Sequence, residues 1–186
     1  SSLFSFEPQS PDDLPGEKRV HCFLNSADGL YASRAQITSF AQIAGEAAAK
    51  LKDSLPKELG VCSELKKNCA EDLIRKAASR AFRRPALDSE VALFLPVYDV
   101  VKETGGSFSE ISGLFLEALL RTPQFLYMLE KEQSSPDSYS AASRLSFFLT
   151  GDAPDKDLTA AAAAGLTAES ATVQANRLMN TDKARR

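Results

Sequence analysis

Apolar residues recur every three or four positions along most of this chain, and no stretch shows sustained apolar–polar alternation. That periodicity predicts helices throughout and no sheet. Ile37, Phe40, Ala44, Ala47, Ala48, Leu51 and Leu55 keep helical spacing behind a Ser33-x-x-Gln36 capping box, and Pro56 is expected to stop that helix. A second box, Asn68-x-x-Glu71, opens a helix through Leu73, Ile74, Ala77, Ala78, Ala81 and Phe82, ended by Pro85. Asp88 is placed to cap a third, through Val91, Leu95, Tyr98 and Val101, with a kink or break at Pro96 and a stop at Gly105-Gly106. Ser109 is expected to begin a strongly apolar helix (Ile111, Leu114, Phe115, Ala118, Leu119). Thr122-Pro123 should then cap and restart the chain as Phe125-Leu126-Tyr127-Met128-Leu129. Three more helices are read at Ser140 to Thr150, Pro154 to Ala164 and Thr167 to Met179, and Thr181 to Arg186 resembles the first turn of another.

Two stretches lack this period. The first carries Pro8, Pro11, Pro15, Gly16 and Gly29, and reads as an extended arm over residues 1–32. The second, residues 132–139, is rich in Ser and Pro and reads as a linker. The expected architecture is therefore all-α, an irregular bundle of about seven to nine helices. The arm is followed by a helical module over 33–131 and a second module over 140–186 that is cut short at its C-terminal end.

Composition narrows the function classes. The chain has 186 residues, 44% hydrophobic and 25% charged, enough for one domain or two small ones with a true core. A net charge of -3 argues against a general nucleic-acid binder, which would carry a basic face. No apolar run approaches the roughly 20 residues of a membrane span. Ser1 to Phe6 has no basic region and no long apolar core, so it does not read as an intact signal peptide.

Candidate chemistry is sparse, and no catalytic constellation emerges. His21 is the one histidine; His21-Cys22 lacks the further ligands of a structural zinc site, and no Gly-x-Ser-x-Gly elbow accompanies it. Asp152-x-x-Asp155-x-Asp157 lacks the spacing and final Glu of a calcium loop, and reads better as acids at a helix N-terminus. The other carboxylate groups, Glu71-Asp72 and Glu130 with Glu132, read no differently. Arg75, Lys76, Arg80, Arg83 and Arg84 form the one basic concentration. Cations in the last turns of a helix favour its dipole, so a structural role comes first, with Arg80, Arg83 and Arg84 as candidates for a docking surface. Phe108, Phe115, Phe125, Tyr127, Phe147 and Phe148 read as core rather than a cofactor box. Of the three cysteines, Cys62 and Cys69 can bridge only if no continuous helix joins them, since seven helical residues rise about 10 Å against a limit of roughly 7 Å. Gly60 and Asn68 suggest such a loop; three small buried thiols remain the alternative, and Cys22 is left over either way.

Three segments carry a resemblance. Arg80-Ala81-Phe82-Arg83-Arg84-Pro85 is followed by Glu90-Val91. Next come Leu120-Arg121-Thr122-Pro123-Gln124-Phe125-Leu126-Tyr127, and then Ala142-Ser143-Arg144-Leu145-Ser146-Phe147-Phe148-Leu149 with Pro154-Asp155 and Leu158. In this order they resemble the modules of unknown function of planctomycete-type multidomain proteins associated with cytochrome c domains, found also in myxobacteria and other proteobacteria. Asn25 to Leu30 is similar to the segment that precedes those modules. The likeness spans most of residues 20–186. It implies an exported, extracytoplasmic protein, a Cys62–Cys69 disulfide, and partners among other domains or chains of the same precursor. It also implies a piece of something longer: a proteolytic fragment, an excised piece or one subunit of a processed precursor.

Two features depart from the family pattern. Thr150 stands where an aromatic residue is usual, and no Cys-x-x-Cys-His haem motif occurs, so haem c is expected in partner domains and no cofactor in this chain. The resulting expectation is a non-catalytic helical scaffold or interaction module of a larger cytochrome c-associated protein. One alternative is part of an oxidoreductase whose haem or other cofactor is held by another chain or domain; a weaker one is binding of an extracellular polymer or glycan.

Overall fold

The computed structural model describes residues 34–127 and 137–185, and among these the backbone forms helices and turns with no strand. In chain order the elements are α1 (Arg34–Leu51), α2 (Leu55–Glu58), α3 (Lys67–Phe82), α4 (Asp88–Phe94) and α5 (Pro96–Glu103). There follow α6 (Phe108–Leu120), α7 (Pro123–Leu126), α8 (Ser138–Thr150), α9 (Lys156–Ala163), α10 (Ala168–Met179) and a 3₁₀ turn at Asp182–Arg185. Eight of these helices have seven residues or more; α2 and α7 are single turns. The all-α expectation holds. No helix among the described residues is long and apolar enough to cross a membrane. The expected arm, the Ser33 cap, His21, Cys22 and Met128 lie outside the described residues.

The first core is built around α6, which packs against α1, α3 and α5. Its Ile111, Phe115, Leu116 and Leu119 are fully buried. Ser112 is buried among them and donates to the Phe108 carbonyl at 3.1 Å, so the hydroxyl enters an apolar layer without an unmet bond. α1 runs antiparallel to α6: Ser109 Oγ donates to Asp53 at 2.5 Å at one end, and Arg121 Nη2 donates to the Ala41 carbonyl at 3.3 Å at the other. Small side chains (Ala44, Ala47 and Ala48 on α1; Ala70, Ala77, Ala78 and Ala81 on α3) line the buried faces. Phe94 of α4 meets the Phe115 ring edge-on at 5.2 Å.

The second core is smaller. Ala142, Leu158, Ala162 and Leu178 are its buried apolar residues, with Tyr139, Leu145, Leu149 and Leu166 packed around them from α8, α9, α10 and their connections. Ser138 Oγ ties the α9–α10 connection back to α8 by accepting from the Leu166 N–H at 2.9 Å.

Several boundaries differ from the expected ones, each for a local reason. Pro56 does not stop α1, which ends at Leu51; it sits in the first turn of α2, where its missing N–H has no partner to lose. α3 begins at Lys67 after an extended Lys66, so Asn68 lies inside the first turn rather than capping it. Leu87, not Asp88, precedes α4, and Glu90 reaches back to accept from its N–H at 2.8 Å. Ser107 rather than Ser109 caps α6, in a reciprocal box with Glu110. The helix restarted at Pro123 ends at Leu126, and Tyr127 is already extended. α8 starts two residues early because Asp137 caps it, accepting from the N–H groups of Tyr139 and Ser140, each at 3.0 Å, so Ser138 and Tyr139 belong to the helix and not to a linker. The break at Pro96 is where it was expected, dividing α4 from α5.

Cys62 and Cys69 form a disulfide with Cα atoms 5.4 Å apart. The chain from Val61 to Lys66 is non-helical, which brings the two residues within bridging distance. The bridge pins the approach to α3 onto its first turn. Closing so short a loop is worth about 2–3 kcal/mol by its effect on the unfolded chain. The C62S/C69S double variant is therefore expected to lose about that much in urea unfolding against the oxidised protein, and a loss under about 0.5 kcal/mol contradicts this role.

Gly106 is the tightest point of the α5–α6 turn. A Cβ there would lie 2.6 Å from Glu110 Oε2 and 2.7 Å from Val101 Cγ1. Glu110 is held in place because it accepts from the Ser107 N–H at 2.6 Å. Gly106→Ala is expected to destabilise by about 1–3 kcal/mol, the usual cost of a forced close contact. Chemical unfolding measures it, and an unchanged midpoint would show that the turn can open.

Candidate functional site

The basic concentration at the end of α3 is the densest set of charged side chains flagged in the sequence. Its positions follow from how α3 stops. Arg83 adopts a left-handed backbone (φ 60) immediately after Phe82, a conformation usually left to glycine, and turns the chain toward Pro85. The turn is braced by Ser79, whose hydroxyl donates to the Arg75 carbonyl at 2.7 Å and accepts from the Ala86 N–H at 2.9 Å.

Each cation then finds a specific partner. Arg84 forms a two-pronged pair with Glu90, at 2.9 Å and 2.6 Å, and its guanidinium lies 5.5 Å from the Phe82 ring centroid. Arg83 turns to the opposite side and donates to three carbonyls, those of Gln124 (3.0 Å), Phe125 (3.3 Å) and Tyr127 (3.2 Å). These belong to α7 and its exit, so Arg83 closes the C-terminal end of a helix too short to satisfy itself. Arg75 pairs with Asp88 at 2.8 Å, and Lys76 pairs with Asp72 at 2.9 Å and donates to the Gly60 carbonyl at 3.1 Å. Arg80 is partly buried on α3.

The electrostatics follow the geometry. The hydrogen bond from Arg84 holds the Glu90 carboxyl below the usual carboxylate range, and the same bond raises Arg84. Burial, with a smaller push from neighbouring Arg84, lowers Arg83.

The acidic run in the second module resolves in a similar way. Asp155 caps α9, its Oδ1 accepting from the Leu158 N–H at 3.0 Å, and it takes both prongs of Arg177 from α10 at 2.7 Å and 2.8 Å. Asp157 adds a looser contact to Arg177 at 3.8 Å. Asp152 pairs with Lys183 and accepts from the Ala153 N–H at 2.8 Å. The Arg177 hydrogen bond holds Asp155 below its ordinary range. Among the described residues, no three of His, Cys, Asp and Glu are placed to share a metal ion.

The aromatic series divides. Phe108 and Phe115 are core, and Phe125 packs against it. Tyr127 is exposed and Phe148 is 87% exposed, so the core expectation fails for both. On α8 the inward face is taken by Ala142 and Ser146, which turns Phe148 outward. Ile37 and Leu114 face solvent for the same reason, since α1 and α6 meet through other faces. Glu90 enters the sequence reading only through the family likeness, and neither it nor Arg177 is singled out there as a charge partner. Glu90 has a local signal, a carboxylate at the third position of a helix just after an Arg-rich turn; Arg177 lies 22 residues from Asp155 and has none.

Two family matches partition this architecture. Residues 69–130 match PSD5, described as a protein of unknown function (DUF1595), and residues 137–186 match PSD4, described as a protein of unknown function (DUF1592). The chain carries a DUF1595 module followed by a DUF1592 module. These are the modules, in the order, to which the motifs at 80–85, 120–127 and 142–149 point. No curated protein and no solved structure matches the chain. The arginine turn and α7 lie inside the DUF1595 module, and the Asp155–Arg177 pair inside the DUF1592 module.

Both carboxylates held low, Glu90 and Asp155, give the same sign of pH dependence. Each contributes stability that is complete above its unfolded value, about 4. That contribution is lost as pH falls through the lower folded value. The E90Q/D155N variant is expected to show a smaller loss of stability between pH 6 and pH 3 than the unaltered protein, in urea unfolding at about one-unit intervals. Parallel acid profiles would refute this assignment.

Proposed function

We propose that this chain is a non-catalytic helical scaffold or interaction module of a larger exported protein associated with cytochrome c domains. The observation that carries the reading is how the charged clusters are used. Arg83, Arg84, Glu90, Asp155 and Arg177 are engaged with one another, with carbonyls and with helix ends, where they set the shape of turns and helix junctions. Catalytic groups need a reacting atom within reach and a proton to exchange near neutral pH. These groups instead have their charges locked by close partners. The DUF1595–DUF1592 order supports a place inside a multidomain polypeptide. The Cys62–Cys69 bridge supports an oxidising, extracytoplasmic compartment, where such bridges persist.

Docking to the rest of the precursor is assigned to the surface around the arginine turn. Arg80, Arg83 and Arg84 lie there, and Leu87 and Leu93, exposed by 57% and 73%, follow on the entry to α4 and on α4 itself. Exposed apolar side chains with a polar rim are the composition that interaction surfaces favour.

Cross-linking mass spectrometry on the natural polypeptide, with its termini sequenced, tests the reading. Cross-links are expected from the α3–α4 region to haem-bearing domains of the same precursor. Absorbance spectroscopy of the 186-residue chain alone should show no Soret band. A haem retained by the isolated chain, or cross-links confined to unrelated enzymes, would overturn the proposal.

A further inference from the structure

Arg83 reaches beyond its own module. Its guanidinium, fixed by the carbonyls of Gln124, Phe125 and Tyr127, lies 6.0 Å from the centroid of the Phe147 ring on α8. Phe147 is half-buried and stands next to the exposed Phe148. Adjoining Arg84 senses the carboxylate of Asp137, the residue that caps α8. The two hydrophobic cores share no residue. The arginine turn of the first module therefore meets α8 of the second, with Arg83 at the Phe147 ring.

We propose that Arg83 is the latch that sets the orientation of the DUF1592 module relative to the DUF1595 module, by presenting a rigidly held guanidinium to the Phe147 ring. This rests on the scaffold reading and adds the residue through which a scaffold would hold its modules in register.

Three physical points carry it. A non-glycine residue in the left-handed region is strained, and glycine there would remove that strain, so the Arg side chain contributes something glycine cannot. Three carbonyl acceptors fix both the position and the plane of the guanidinium, which removes most of the entropy a free arginine would lose on stacking. A cation over a phenylalanine ring at this distance favours the engaged orientation by about twofold to fivefold at a partly exposed site, a bias and not a weld. Lysine keeps the charge but lacks the fork, so it would leave the ring contact unguided.

The test uses residual dipolar couplings on the isotope-labelled 186-residue chain. In the unaltered protein the alignment tensors fitted to the two modules are expected to be close in orientation and magnitude. Arg83→Gly and Phe147→Leu should each drive the two tensors apart in orientation or magnitude, while the couplings of each module still fit that module's own structure. A double-variant cycle on the pair, read in urea unfolding, should show a threefold to fivefold coupling in the equilibrium constant. Unrelated tensors in the unaltered protein, or tensors that stay as close to each other in Phe147→Leu, would overturn the proposal. If Arg83→Gly fails to fold, Phe147→Leu decides alone, because it leaves the carbonyl contacts of Arg83 intact. The cross-links to haem-bearing domains report on the scaffold reading separately, so either idea can fail while the other stands.

Discussion

The enclosure of α6 is the constraint on which the first module depends. An apolar helix with Ile111, Phe115, Leu116 and Leu119 fully buried must be covered on several sides, and α1, α3 and α5 supply the cover. Three helices can crowd around one only if their contact faces are slim. That is why alanine dominates the inner faces of α1 and α3, and why Phe115 and Phe94 provide the bulk at one level. Burial of these side chains is the main favourable contribution. The polar contacts then fix where each helix stops and at what angle the chain leaves it.

Seen this way, the charged residues are the joinery of a shape whose cohesion is apolar. Ser107 with Glu110, Glu90 with the Leu87 N–H, and Asp137 and Asp155 at their helix starts all close N-terminal ends. Arg83 does the reverse and closes a C-terminal end belonging to another element. Among the described residues, no buried side-chain nitrogen or oxygen lacks a partner. Such complete pairing fixes where each described helix stops and how the chain leaves it.

The sequence made some of this legible and hid the rest. The buried face of α3 is readable residue by residue, because a single 3.6-residue period runs unbroken from Leu73 to Phe82 and all six expected positions are buried. The break at Pro96 is equally legible, since a lost backbone donor acts locally. Exposure of Leu114 and Phe148 was not, because apolar residues outnumber the positions that one face can bury, and only the neighbours decide which ones point out. The αL turn at Arg83 carried no glycine to announce it. The Asp155–Arg177 pair joins two helices through space, and nothing in local spacing encodes it. The cysteine pairing was suggested by family resemblance, while spacing alone allowed it without requiring it.

The alanine seam makes the chain's tolerance for change lopsided. Ala70, Ala77, Ala78 and Ala81 have no exposed surface at all, so any larger replacement must push a neighbouring helix outward. Glycine, the one smaller choice, loosens the helix that carries it. Drift in such a molecule is channelled to its rind, and two diverging descendants would be expected to share the pattern of tiny inner residues long after their outer faces had ceased to look alike.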